Sequence, residues 1–257
     1  MRAIYRKELR SYFINPIGYI YLGVFWVATA VLFYFTVLSG ATYSTAGYFT
    51  ALVAALTVLV PLLTMRLFAE EKKTRTEQLL LTAPVTLTGM VLGKYLAALT
   101  VYAAGVLGSC LNFIPLSFIA AAERADETES LRSIVGPVPG EIIGGVVALL
   151  LVGAALIAVG TFISSLTENQ LSAAVISIGV IGAMTLIGLL TQITDANGQP
   201  WIRFAWIRNA LNWVSVLGRF SNFTNGIFDF AAIFYYLSLA FVFLFFTVRV
   251  YEKRRWN

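Results

Sequence analysis

The stretch FAEEKKTRTEQLLLTAPVTLTGMVLGK (residues 68–94) is a polar island in a chain that is otherwise apolar from end to end. Glu70, Glu71, Lys72, Lys73, Arg75, Thr76 and Glu77 come first, Leu79, Leu80 and Leu81 follow, and Ala83-Pro84 closes the run. Residues 67–81 contain no Gly or Pro and are rich in helix formers, so a helix is expected there. Glu71 and Arg75 stand four apart in the order that favours an ion pair, and Lys73 and Glu77 in the weaker order. Pro84 disfavours helix at the residue before it. The expectation is a short helix with a charged flank and a leucine tip, held between two hydrophobic runs. Such a tip gains nothing from facing water and suits a fold back onto lipid or a groove on a partner. The plainer alternative is a solvated loop with incidental ion pairs.

The 257 residues are 59% hydrophobic and 12% charged, with a mean hydropathy of +0.81. Ordinary soluble domains carry about twice that share of charge. One membrane domain of several helices is the expected class. The single cysteine, Cys110, and the absence of histidine argue against a disulfide, a structural zinc site or histidine acid–base chemistry.

Apolar runs at about 17–38, 47–67, 89–119, 142–163, 170–190 and 231–250 are long enough to be six transmembrane helices. The third is longer than needed and is expected to tilt or break near Pro115. The fourth and fifth are separated by the polar turn SSLTENQ. The first run is too long for a signal-peptide core and is expected to be a retained helix. With both termini inside, thirteen of the 18 Lys and Arg residues fall on inner segments, and this bias sets the expected orientation. The island at 68–88 is then cytoplasmic, and the segment at 120–140 is an external, net acidic loop.

Residues 1–16 read as an amphipathic helix ended by Asn15-Pro16. Ile4, Tyr5, Leu9, Tyr12 and Phe13 share one face, and Arg6, Lys7 and Arg10 lie elsewhere. Such a helix would rest on the inner membrane surface with its cations toward anionic lipid. A basic segment that only sets topology is the simpler alternative. Residues 191–230 interleave aromatics with Arg203, Arg208 and Arg219, which suits short amphipathic helices at the outer interface. Trp206, Trp213, Phe220, Asn225 and Gly226 are the candidate residues there.

The middles of the six runs carry no Asp, Glu, Lys or Arg. Arg66, Lys94, Glu141, Glu168 and Arg249 fall near span ends, where long side chains can reach the interface. Ion coupling by the chain's own residues is therefore disfavoured. No phosphate-cradling Gly-x-x-x-x-Gly-Lys-Ser/Thr loop is present, so energy for uphill movement would come from another polypeptide. Small residues four apart, Gly144 and Ala148, Ala154 and Ala158, Ala173 and Ser177, Gly179 and Ala183, allow close helix approach. Packing within the bundle is the plain reading of these pairs, and a subunit interface or moving seam the sharper one.

The run FAEEKKTRTEQLLLTAPVTLTGMVLGKYLAAL resembles the segment between the second and third helices of type-2 ABC transporter permeases. Glu70, Glu71, Lys72, Thr76, Glu77, Leu79, Leu80, Pro84, Gly93 and Lys94 carry that match. KELRSYFINPIGYI is similar to the family's N-terminal surface helix, and ISSLTENQLSAAVIS to its turn between the fourth and fifth helices. The tail resembles permeases linked to bacterial gliding motility, through Asn225-Gly226-Ile227, Asp229, a Tyr-Tyr-Leu-Ser helix and a terminal Arg-Arg-Trp. The resemblance implies an all-α fold of six transmembrane helices with an N-terminal amphipathic surface helix, a cytoplasmic coupling helix and outer re-entrant helices. It implies a membrane-spanning subunit of an ATP-driven transporter in the bacterial plasma membrane, working as a homodimer or heterodimer with a second permease. ABC ATPase subunits would bind ATP and magnesium, this chain would bind neither, and no covalent chemistry would fall to it. Glu70, Glu71, Arg75, Thr76, Glu77, Leu79, Leu80 and Pro84 would then face the ATPase. Lipids and a periplasmic-domain auxiliary protein are compatible partners, and no nucleic acid is expected. A membrane anchor or force-transmitting scaffold of a motility or secretion machine, moving no substrate, is the alternative. An intramembrane enzyme fits poorly without histidine or mid-span acids.

Overall fold

The computed structural model describes residues 1–40, 43–76, 85–126, 136–190 and 204–256. The chain is an all-α membrane protein: six helices among these residues are long and apolar enough to cross a bilayer. A short helix α1 (Arg2–Ile14) precedes them and ends at Asn15, whose extended backbone and following Pro16 turn the chain into α2 (Ile17–Phe33). A π-helical turn at Tyr34–Leu38 completes the first span. There the Thr36 hydroxyl donates to Leu32 O at 2.7 Å, the type of back-bond that bends helices.

The second span begins as α3 (Ala46–Thr64) and leads through turns into α4 (Ala69–Lys73). The third is α5 (Leu87–Ser109), a 3-10 turn at Cys110–Asn112, and α6 (Phe113–Asp126). The expected break near Pro115 thus occurs just before it. Pro115 itself sits in the first turn of α6, where its missing N–H costs nothing. The fourth span is α7 (Pro139–Leu166), and only Thr167–Asn169 separate it from α8 (Gln170–Leu190). After it come α9 (Ala205–Val214), a 3-10 turn at Leu217–Arg219, α10 (Ser221–Thr224) and the last span, α11 (Phe230–Trp256).

Helix α7 is apolar all round, which suits a helix enclosed on every side. It packs on α3, α5, α8 and α11. Two glycines allow the neighbours that close. A Cβ at Gly153 would collide with the Tyr102 ring, and one at Gly160 with Thr64. Tyr102 is fully buried, and its hydroxyl donates to Leu149 O at 2.7 Å. The small-residue pairs divide. Gly144 abuts the Phe223 carbonyl, and Ala148, Ala158, Ala173 and Ser177 are buried inside the bundle. Gly179 and Ala183 instead face outward, with nothing within 4 Å of a Cβ at Gly179.

Both termini lie at one end of the bundle. Glu8 of α1 pairs with Lys94 of α5, and the ring of Tyr251 near the end of α11 lies 4.9 Å from that of Phe68. At the opposite end the Tyr43 hydroxyl donates to Glu123, and the Thr45 N–H donates to Glu141 Oε2 at 3.1 Å. These bonds tie the α2–α3 connection to α6 and α7.

Candidate functional site

Four spans and the surface helix converge on α4. The N–H groups at its start, of the N-cap Phe68 and of Ala69, have no partner within the helix. Phe68 has no capping side chain to offer; instead Ser164, from the last turn of α7, accepts from Phe68 N at 3.1 Å and Ala69 N at 3.2 Å. The Ser164 hydroxyl donates to Met65 O at 3.2 Å. Lys72 donates to Ser165 O, and to Thr167 O at 3.2 Å. Glu70 and Glu71 in the first turn and Lys72 and Lys73 in the last complement the helix dipole.

Lys94 is the centre of the arrangement. It stands about 10 Å from the start of α5, is 1% exposed, and its Nζ meets Glu71 Oε1 at 2.9 Å, Glu8 Oε1 at 3.0 Å and Leu67 O at 2.8 Å. The Phe68 ring lies 5.1 Å from the same nitrogen. Three accepting oxygens match the three donors of an ammonium. Lys7 closes the cluster from outside, 3.2 Å from Glu71 and 3.6 Å from Glu8. Two cations and two anions balance. Partial burial draws the Lys7 pKa down, but the charges of Glu71 and Glu8 outweigh it and leave the pKa above its usual value.

A second pair lies beside the first. Arg66, 8% exposed, donates through Nε to Glu70 Oε2 at 2.9 Å and through Nη2 to Glu70 Oε1 at 3.2 Å, a two-pronged contact. Its remaining nitrogen, Nη1, is buried without a hydrogen-bond partner among the described residues. The two clusters line a cavity of ≈ 400 Å³ between α1 and α4, with Thr74 and Thr76 at its margin.

Several expectations need correction. Among the described residues of the helix expected over 67–81, only Ala69–Lys73 is helical: Arg75 has φ 57°, a left-handed conformation that ends α4. Glu71 therefore does not pair with Arg75; a buried ammonium on α5 outcompetes an exposed guanidinium on the same turn. Lys94 does not reach for the interface but is enclosed, because Glu8 and Glu71 replace the water it would seek. The apolar face of α1 does not rest on lipid alone: Ile4 and Tyr12 are buried against the bundle, and Tyr12 O–H donates to Leu63 O at 3.0 Å. Arg6 and Arg10 stay exposed on the outer face of α1. Thr76 donates its N–H to Glu71 O at 3.0 Å. Glu77, Leu79, Leu80 and Pro84 lie outside the described residues, as do 127–135 and 191–203.

Sequence reasoning missed Glu8, Ser164 and Tyr251. Glu8 had a signal, being the one acid among the first fifteen residues. Ser164 and Tyr251 had none, since both look like ordinary span-end residues. At the far end, α9 is the expected amphipathic helix, with Trp206 72% exposed and Trp213 also on it. Phe220 faces inward and is buried. Asn225 and Gly226 terminate α10, Gly226 with φ 74°. Asp229 caps α11 by accepting from Ala231 N at 2.9 Å, and the hydrogen bond from Asn222 holds its pKa below the usual carboxylate value.

No protein-family model and no curated protein matches the chain.

Proposed function

We propose that the chain is the membrane-spanning permease subunit of a type-2 ABC transporter, converting ATP hydrolysis by a separate subunit into export or other work at the membrane. The observation that carries the reading is the grip on the segment between the second and third spans. Glu71 of α4 shares Lys94 of α5 with Glu8 of α1, and Ser164 of α7 holds the start of α4. A push on α4 is thereby delivered to a surface helix and to two spans together. The resemblance of residues 68–99 to the coupling segment of such permeases supports the same reading.

In this reading both termini and α4 face the cytoplasm of a bacterial plasma membrane, and two ATPase subunits serve a pair of permeases. ATP and its magnesium ion sit in those subunits. Closure of the ATPase pair moves α4 and α1, and the spans follow because Lys94 leaves α4 no independent path. Re-entrant packing of the 191–230 segment would shape the outer exit.

The test is copurification. The tagged chain extracted from native membranes should carry an ATP-hydrolysing partner, and the double substitution Leu79→Asp with Leu80→Asp should release it while the chain stays inserted. Unchanged copurification and unchanged ATPase stimulation would sink the proposal.

A further inference from the structure

An apolar groove of ≈ 240 Å³ runs between α5 and α11. Val91, Leu92, Phe241, Leu244, Phe245 and Val248 line it. At its terminal end stand Thr88, Arg249 and Glu252. Arg249 Nη1 lies 2.7 Å from Glu252 Oε2, and its guanidinium lies 4.9 Å from the Phe245 ring centroid. Both charged side chains are well exposed, at 62% and 40%.

We propose that this groove binds a phospholipid whose headgroup carries a primary amine, with an acyl chain along the apolar floor, the phosphate on Arg249 and the ammonium on Glu252. Depth is the first argument. From Phe230, Arg249 lies about 30 Å along α11, the thickness of the hydrocarbon core, so it emerges at the headgroup level. The floor from Phe241 to Arg249 extends about 12 Å into that core, where only an acyl chain or another helix can fill an apolar groove. Charge decides between these. A second copy's helix would need an anion and a cation side by side at one depth, whereas such a lipid carries both on one headgroup. The Arg249–Glu252 pair is an exposed i,i+3 contact, and pairs of that kind open at little cost.

Glu252 sets the headgroup. A primary ammonium donates charge-assisted hydrogen bonds to the carboxylate, a quaternary choline nitrogen has no proton to donate, and a glycerol headgroup offers only neutral hydroxyls with no charge to match the carboxylate. Lys253, one position farther out, attracts any phosphate and does not discriminate.

The test uses the full chain in vesicles holding photoactivatable phosphatidylethanolamine, phosphatidylcholine or phosphatidylglycerol. Labelling of the Phe241–Arg249 region should favour phosphatidylethanolamine about five-fold, the discrimination expected of one charge-assisted hydrogen bond at partial exposure. Glu252→Gln should abolish the preference, and Leu92→Trp should block labelling there while Leu186→Trp, on exposed α8, does not. Equal labelling by the three lipids, a preference that survives Glu252→Gln, or crosslinking of the groove to a second copy would overturn the proposal.

Discussion

Lys94 Nζ lies 2.9 Å from Glu71 Oε1, and this contact joins a span to the short helix that precedes it. Both groups are largely withdrawn from water, at 1% and 15% exposure. A buried charge that loses its partner keeps its desolvation cost. Lys94→Met should therefore destabilise the protein by about 3–5 kcal/mol, the cost of breaking a buried pair. Thermal unfolding in detergent measures it. Glu8→Gln and Glu71→Gln should each cost less than the lysine change, and combined they should be non-additive because they share one ammonium. Strict additivity would show that the pairs act independently.

Ser164 is fully buried and accepts from the N–H groups of Phe68 and Ala69, at the start of α4. Ser164→Ala leaves both without a partner, at about 1–3 kcal/mol for each buried orphan. The loss should be local. Hydrogen exchange should quicken at residues 68–73 and stay unchanged in the middle of α7. Uniform protection across α4 in the variant would refute the capping role.

The Lys7 pKa lies above its ordinary value because Glu71 and Glu8 outweigh the opposing pull of burial. Its contribution to stability is complete below the unfolded-state pKa and fades as pH rises through the raised folded-state value. Wild-type protein should thus lose thermal stability above pH ~10.5 relative to Lys7→Arg, whose guanidinium stays charged. Circular dichroism melts of the two proteins across the alkaline range give the difference. Parallel curves would mean that Lys7 contributes nothing.

Gly153 lies where a Cβ would strike the Tyr102 ring, and the Tyr102 hydroxyl is committed to Leu149 O. Gly153→Leu should cost about 1–3 kcal/mol or more through overpacking. Paired with Tyr102→Ala, the same substitution should be partly tolerated, since the space it needs is then open. Thermal melts of the single and double variants decide it.

The proposed orientation predicts opposite labelling of the two ends. In a Cys110→Ser background, Asn225→Cys should react with a membrane-impermeant maleimide in intact cells and Arg75→Cys should not, until the cells are opened. The reverse pattern would invert the topology.

The spans were legible because the need for about 20 apolar residues per crossing is written into composition. The turn at Thr167–Asn169 and the break before Pro115 were legible because polarity and proline act locally. The length of α4 was not. Helix propensity and the Glu71–Arg75 spacing extend it, and both are weak beside a buried cation on another helix. That Glu70, Glu71 and Lys72 lie close together followed from their adjacency in the chain, while their partners on α1 and α7 stayed hidden.

By itself, then, the sequence determined that this chain is helical, membrane-spanning and interrupted by one densely charged segment between its second and third spans. Those properties depend on what each residue costs in lipid or water, which is a local quantity. Only the tertiary structure decided that Lys94 is a buried hub rather than an interfacial cation, that Ser164 caps a helix it does not belong to, and that α1 packs on the bundle. Each of those depends on which groups meet across long stretches of chain. A charge is enclosed when partners replace its water, and sequence spacing does not report where those partners arrive.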